Sequence, residues 1–583
     1  MKQTPDLEKK LRNVRRSLHR EGLSTVQAVL HEFSVRLSGE VGSWDEKVRA
    51  GYAAAGKGFR GVLNDIRVPG VEEPAMSVPL LRDKALEGAA YDVVIVGGGV
   101  IGCGIARELS RRDLKIGVLE KEDDAALQAS GRNDGMIHPG FAAAPGTLKA
   151  AYNSRGNRMY DDWARELDFE IKRTGSILLY RSLWMHLLTP YFKRRCRLNK
   201  VDGPCRGLSA RQVRELEPYV TEKQKGGFLM PSTAYVSPYR VTLALAENAA
   251  DNGCDFHFQT ALLGVELSSE GSSITHLKTN RGTLSCRVLI NAAGVWSDKV
   301  AEMAGDRFFS IHGRKGTDAI LDKRCEPFQT RASGMPSLLK RNRHSKGGGV
   351  VPCVEGNILL GPTAQEVADR EDYSTDAHIF GTLVKQLDLN RELHQGQIIS
   401  YYSGVRAASW EEDFILGPSV KVANLLHAAA IQSPGFASAP AICRDMARWC
   451  EDILSEQNVP IRDREGFNPV RRGIPRVREM SEADRDALIR KDPAYGDIVC
   501  RCEEISRGEI RDALCSSVPA QSVDGIKRRV RAGAGRCHGG FCLPRIIAIM
   551  AREMDIPLTG VTKKGPGSQI LMESTKKEAP LCS

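Results

Sequence analysis

Four cysteines towards the C-terminal end, Cys500, Cys502, Cys537 and Cys542, form one Cys-x-Cys pair and one pair separated by four residues. Four thiolates brought together are what an iron–sulfur cluster or a zinc ion requires. Structural zinc sites favour Cys-x2-4-Cys spacing, so the single-residue gap weighs towards a cluster. Each cysteine alone would read as a small buried hydrophobe; the foursome reads as a ligand set. A second constellation lies far upstream. Gly97-x-Gly99-x-x-Gly102 follows an apolar run, residues 91–96, and opens the helical pattern VIGCGIARELSRRD, after which residues 114–120 read as another strand. The glycines permit a tight turn, let a pyrophosphate approach backbone N–H groups, and let helix and strand pack closely. Glu120 stands where an acid binds an unphosphorylated ribose. The pattern predicts a βαβ dinucleotide site, for FAD or NAD alike.

Placing both chemistries takes several elements. At 583 residues the chain exceeds what one core serves, and 42% hydrophobic with 27% charged residues is ordinary globular composition. No apolar stretch reaches the ~20 residues of a membrane helix. Fifteen cysteines without a secretory signal point to a reducing compartment with free thiols. The net charge of +11 is spread along the chain, and nothing reads as a nucleic-acid module. The charge suits solubility, an anionic substrate, or docking to an acidic partner or membrane surface.

Residues 1–90 stand apart. Thr4-Pro5 starts a helix in which Leu7, Leu11, Val14 and Leu18 recur at helical spacing up to Gly22, and Ser24 with Gln27 forms a capping box for a second helix to about Leu37. Residues 51–87 read as a loop rich in Gly, Pro and Glu. Asp6, Glu8 and Glu21 argue against a transit peptide. The extension is expected to be a helical docking arm, dispensable for chemistry. Residues 91–467 alternate strands, helices and glycine turns as one catalytic body; 468–494 read as a charged linker, 495–555 as the cysteine domain and 556–583 as a tail. The expected fold class is mixed α/β: a Rossmann-like nucleotide-binding domain, an α+β substrate domain and a small C-terminal iron–sulfur domain.

DIVCRCEEISRGEIRDAL and DGIKRRVRAGAGRCHGGFCLPRIIAIM closely resemble the small 2Fe–2S domain of bacterioferritin-associated ferredoxins, also found appended to flavin dehydrogenases. The resemblance implies that Cys500, Cys502, Cys537 and Cys542 are the cluster ligands, with GEIRDAL and CLPRIIAIMARE as short helices. ASGRNDGMIHPGF (129–141), NAAGVWSDKVA (291–301) and IQSPGFASAPAI (431–442) resemble segments of the FAD-dependent D-amino-acid-oxidase and glycerol-3-phosphate-dehydrogenase superfamily. Within it the chain is most similar to the anaerobic type of glycerol-3-phosphate dehydrogenase, while residues 129–150 also resemble L-2-hydroxyglutarate oxidases and dehydrogenases. The resemblance implies FAD, with Ser130, Arg132 and Asn133 beside its pyrophosphate and isoalloxazine and Gly294 continuing the nucleotide site. Gly435 and Phe436 start a helix whose N-terminus can stabilise negative charge on reduced flavin.

By the same resemblance, Tyr402-Ser403-Gly404-Val405-Arg406-Ala407 carries a Gly-x-Arg turn whose arginine holds the substrate's anionic group, phosphate or carboxylate. The alternative for Arg406 is a surface or structural arginine. His138, in the flavin-side segment, is the expected base or substrate orienter, against a structural histidine. Trp410 and Asp413 are expected to line the same pocket, and residues 356–364 to form a substrate-domain strand. Many relatives carry a Gly-Glu-Tyr step after the Arg-Lys-Gly turn; this chain reads Arg314-Lys315-Gly316-Thr317-Asp318, which alters the pocket wall. A flavin that takes two electrons and a cluster that passes one at a time imply a dehydrogenase feeding a partner protein or a quinone. The expected reaction is oxidation of a small anionic secondary alcohol, foremost glycerol 3-phosphate. L-2-hydroxyglutarate, or an electron-transfer subunit without its own substrate, are the alternatives. The expected place is the cytoplasm, with peripheral membrane association and organelle targeting by the extension left open.

Overall fold

The computed structural model describes residues 4–336 and 348–573, so the end of the expected tail, 574–583, lies outside them. Two sheets carry the catalytic body. In the first, strand Ala90–Val96 lies between Ile116–Leu119 and Gly282–Asn291, all parallel, and helix Val100–Leu109 makes the crossover. Val93, Val94, Ile95 and Val96 are all buried, as a central parallel strand covered on both faces demands. Asp255–His257 and Leu425–Ala429 extend the sheet in parallel, and Leu262–Leu267 and Ile274–Thr279 complete an antiparallel meander with Gly282–Asn291. Helices Pro238–Asp251 and Gly435–Glu456 pack on Val100–Leu109.

The second sheet, mostly antiparallel, supplies the substrate side. Its long strands Ile311–Leu321 and Ile398–Ser409 pair with Arg314 opposite Arg406, Gly316 opposite Gly404 and Asp318 opposite Tyr402. Side chains alternate along a strand, so these six residues share one face. The strand expected within 356–364 is Ile358–Gly361, paired with both Ile311–Leu321 and Gly349–Pro352.

The N-terminal region departs from its sequence reading. Helix Thr4–Arg20 forms and buries Leu11, Val14 and Leu18. In place of the second helix, Gln27–His31 and Ser34–Ser38 form a β-hairpin, and Val62–Asn64 adds a parallel strand. Val26 and Ala28, then Val35 and Leu37, are buried with the two-residue period of strands. That alternation, once it meets a sheet partner, outweighs the local capping signal. Helix Trp44–Ala54, capped by the Ser43 side chain, occupies the start of the expected loop. The unit is not a free helical arm. Its core includes Trp410, Ser34 Oγ donates to Phe308 O (2.8 Å), and Asn64 N donates to Ser310 Oγ (3.0 Å). A Cβ on Gly51 would overlap the Trp410 ring, so the helix lies directly against the body.

Residues 468–494 are strapped to the body rather than slack. Arg471 Nε donates to Glu247 Oε2 (2.5 Å), and Asn248 and Asn252 each donate to Asn468 O, at 3.0 and 2.9 Å. Beyond them, helices Arg507–Cys515, Val523–Val530 and Leu543–Glu553 enclose a core of Ile510, Ile526, Ile546 and Met550. This small domain is docked on both layers. Arg529 donates to both Asp124 carboxylate oxygens (2.7 and 2.9 Å), Arg531 donates to Asn357 Oδ1 (2.8 Å), and Lys323 donates to Glu503 Oε2 (2.5 Å).

Candidate functional site

A cavity of about 1350 Å³ is lined from both sheets. One part of it is the dinucleotide turn. Gly97 has φ +113, where a Cβ would lie 2.5 Å from Ala292 O, and a Cβ on Gly102 would overlap Gly97 O. Any side chain would force the turn apart, so both glycines are a steric requirement. The first residues of helix Val100–Leu109 line the groove, and Ser130 Oγ accepts from Val100 N (2.9 Å). Glu120, closing its strand, accepts from Gly98 N (2.6 Å) and Glu122 N (2.8 Å), while burial pushes its carboxyl up to about 7.

Arg132 Nε donates to Leu127 O (2.7 Å) and its guanidinium lies 4.2 Å from the Tyr373 ring centroid; Asn133 Nδ2 donates to Ser130 O (2.7 Å). Both side chains shape the cavity loop as well as line it. Gly97, Gly99, Gly294, Gly435 and Phe436 also line the cavity, and helix Gly435–Glu456 starts there. A glycine-shaped groove, a terminal-strand carboxylate and two helix N-termini on one cavity fit a flavin dinucleotide.

Arg406 projects from the shared face of the second sheet. Its guanidinium lies across Gly316, where a Cβ would overlap it, and NH1 donates to Thr363 O (3.2 Å). Burial lowers its pKa. Asp318, on the same face, is only 2% exposed, and its Oδ1 has no hydrogen-bond partner. Burial, reinforced by Asp134 and opposed by Arg406, pushes its carboxyl well above the ordinary range, which favours the protonated form that can donate. His138 follows the short strand Met136–Ile137; its carbonyl accepts from Asn153 and Asn157 (2.7 and 3.0 Å), and its Nε2 lies 3.5 Å from Ser433 Oγ. Arg406, Asp318 and His138 line the same cavity as the nucleotide turn.

Trp410 and Asp413 do not line it. Trp410 stacks on His312, ring centroids 4.0 Å apart, and donates from Nε1 to Ser310 Oγ (3.1 Å). Asp413 instead caps helix Leu148–Leu167, accepting from Leu148 N and Lys149 N at 2.9 Å each. The acids between them, Glu411 and Glu412, are the lining residues, and burial pushes Glu411 up to about 7. Glu412 belongs to a network that sequence reasoning missed. Arg314 donates to Glu412, to the Tyr52 hydroxyl, to Glu366 Oε1 (2.8 Å) and to Gln432 Oε1 (3.0 Å). The Tyr52 hydroxyl donates to Glu412 Oε1 (2.8 Å), so the N-terminal unit reaches the back of the substrate wall. The two-residue alternation of Arg314, Gly316 and Asp318 was a usable signal for one shared face; nothing local to Tyr52 pointed here.

At the cysteine centre, Cys502 Sγ lies 3.8 Å from Cys500 Sγ and 3.6 Å from Cys537 Sγ, and Cys542 starts helix Leu543–Glu553. Among the described residues no three His, Cys, Asp or Glu side chains surround a single ion position. Neighbouring sulfurs brought together from a strand end, two turns and a helix start suit a 2Fe–2S cluster, which takes two thiolates on each iron.

Residues 92–449 match the FAD dependent oxidoreductase family (DAO), and residues 498–552 match the BFD-like 2Fe–2S binding domain. The chain is 36% identical over 496 residues to the glycerol 3-phosphate dehydrogenase of Caloramator mitchellensis, across 84% of this chain and 99% of that one. It is 24% identical over 507 residues to one of the subunits of the anaerobic glycerol-3-phosphate dehydrogenase of Escherichia coli strain K12, across 80% and 89%. The solved FAD-bound L-alpha-glycerophosphate oxidase of Mycoplasma pneumoniae matches with TM-score 0.60 and 26% identity, across 66% of this chain and 98% of that one. The chain belongs to the FAD-dependent oxidoreductase (DAO) family, with FAD in its body and a 2Fe–2S cluster in a BFD-like domain at its C-terminal end.

Proposed function

We propose that the protein oxidises glycerol 3-phosphate to dihydroxyacetone phosphate and passes the electrons through its cluster to an acceptor protein or a quinone. The observation that carries this reading is the Arg406 guanidinium, laid across Gly316 on the same sheet face as the buried Asp318 carboxyl in the cavity of the nucleotide turn. A phosphate offers three outer oxygens. Arg406 supplies charge-assisted bonds to two, and Asp318 can donate to another; a carboxylate has one oxygen fewer to satisfy that pair. His138 stands to take the proton of the secondary hydroxyl as its C–H bond breaks. Bound FAD supplies the two-electron acceptor, and the cluster the one-electron exit.

Gly97, Gly99 and Gly102 open the room for the nucleotide, Glu120 takes its ribose, and Ser130, Arg132, Asn133, Gly294, Gly435 and Phe436 complete its walls. Cys500, Cys502, Cys537 and Cys542 hold the cluster. The names of the relatives support the substrate. Among the described residues no helix is long and apolar enough to cross a membrane, and a reducing cytoplasm fits the many free thiols. Anaerobic stopped-flow mixing tests the reading. Glycerol 3-phosphate should bleach the flavin and then the cluster. Bleaching by L-2-hydroxyglutarate alone would assign the other substrate, and inertness to both would leave an electron-transfer subunit.

A further inference from the structure

Among the described residues, the densest group of exposed large apolar side chains lies in residues 181–200, to none of which the proposed reaction gives a role. A short helical turn, Leu183–Leu188, runs straight into helix Thr189–Leu198. The inner side of that helix is settled: Phe192 and Cys196 are buried with Tyr180 and Phe228. Its outer side is not. Leu183 is 72% and Leu187 80% exposed, and Trp184, Tyr191 and Leu198 are each at least half exposed. Leu183, Trp184 and Leu187 lie on the helical turn and Tyr191 and Leu198 on the helix that continues it, so five large apolar side chains reach solvent within sixteen residues. A cluster of large apolar groups in water marks a surface built to be covered.

Its charge says by what. The same segment carries Arg181, Lys193, Arg194, Arg195, Arg197 and Lys200 and no Asp or Glu, and all of these cations except Arg195 are exposed. Arg195 is used as a tie, donating to Phe141 O (2.9 Å) and Ala142 O (2.7 Å). A second copy of the chain meeting this face symmetrically would set the cations against themselves. An acidic protein would answer the cations but has no need of the exposed leucines and tryptophan. Apolar side chains flanked by cations without acids match the head-group and upper acyl region of an anionic bilayer.

We propose that residues 181–200 seat the protein on an anionic phospholipid surface. Tyr191, Phe192 and Arg195 also line the cavity, so its rim adjoins the lipid. This inference is independent of which alcohol is oxidised.

Vesicle flotation of the full-length holoenzyme tests it, with phosphatidylcholine alone and with phosphatidylcholine–phosphatidylglycerol mixtures, at low and high salt. Binding to the anionic vesicles should be at least tenfold tighter and weaken with salt. Leu183→Ser with Leu187→Ser should release the protein from both, and Lys193→Glu, Arg194→Glu and Arg197→Glu together should abolish the anionic preference. Neither set lines the cavity, so both should keep FAD, cluster and substrate-driven bleaching. Wild-type protein that ignores anionic vesicles, or variants that bind as it does, would overturn the proposal. Salt-sensitive binding that the leucine variant retains in full would overturn the apolar seat and leave adsorption by charge alone. A lipid-free dimer dissolved by the leucine variant would overturn it in favour of a second copy.

Discussion

The substrate wall and the cysteine centre are built on opposite plans. Around the wall, Arg314, Lys315 and Asp318 are buried, so their charges and hydrogen bonds are largely shielded from water. At the cysteine centre, Cys500 and Cys542 face inward, but Cys502 is exposed and the neighbouring Phe541 is 84% exposed. A proton moves only between groups in contact, so the step that handles one must be enclosed. Electrons need a short gap to a partner, and a lightly covered loop provides one. The difference teaches that one chain can enclose its proton chemistry and still leave its electron exit near the surface.

Cys500→Ser breaks the comparison most severely. It should abolish visible cluster absorbance and lower iron below two atoms per chain, while FAD content and bleaching by substrate persist; joint loss of FAD would show that the two regions are not separable. Arg406→Ala comes next. Removing a buried charge-assisted contact costs ~2–5 kcal/mol, roughly thirty-fold or more in kcat/KM, with FAD retained; a fall below threefold in steady-state assays would remove Arg406 from substrate binding. Tyr52→Phe should cost ~1–3 kcal/mol of stability, because Glu412 loses a donor and Arg314 an acceptor in a buried network. A thermal melt unmoved by that change would separate the N-terminal unit from the wall.

The finest test concerns Asp318, which is faced by Asp134, Arg406, Tyr402 and Cys353. Its pKa is raised, so the donating acid is present below that pKa and is lost as pH rises through it. Wild-type kcat/KM should therefore decline on the alkaline side. Asp318→Asn keeps a neutral donor and should flatten that limb at a cost of ~1 kcal/mol, whereas Asp318→Leu should be impaired at every pH. An unchanged alkaline limb in Asp318→Asn would assign the titration to another group.

What was legible in the chain was whatever local spacing decides. The Gly97–Gly102 turn and the cysteine pairs are dictated by backbone sterics and ligand reach, so their residue types appear at fixed offsets. The wall was not legible. Tyr52, Arg314, Glu366, Glu412 and Gln432 share no spacing, and only the folded sheet and the docked N-terminal helix bring them together. Trp410 and Asp413 depart from their expected place for a related reason: strand Ile398–Ser409 ends just before them, and the turn that follows sends Glu411 and Glu412 to the cavity instead. Around Ser24 the chain carries both a helix cap and a strand alternation. The alternation prevails because Val62–Asn64 and Trp410 complete the sheet and its core.

The contact between Tyr52 and Glu412 spans 360 residues of sequence. During synthesis at ~5–20 residues per second, Tyr52 emerges roughly 20 to 70 seconds before its partner. Through that interval the hairpin and helices of the N-terminal unit wait for Trp410 with part of their apolar core uncovered. The region that reads as a dispensable arm thus becomes the part of the newborn chain most in need of a chaperone, and the order of translation, as much as the final packing, bears on how much active enzyme a cell obtains.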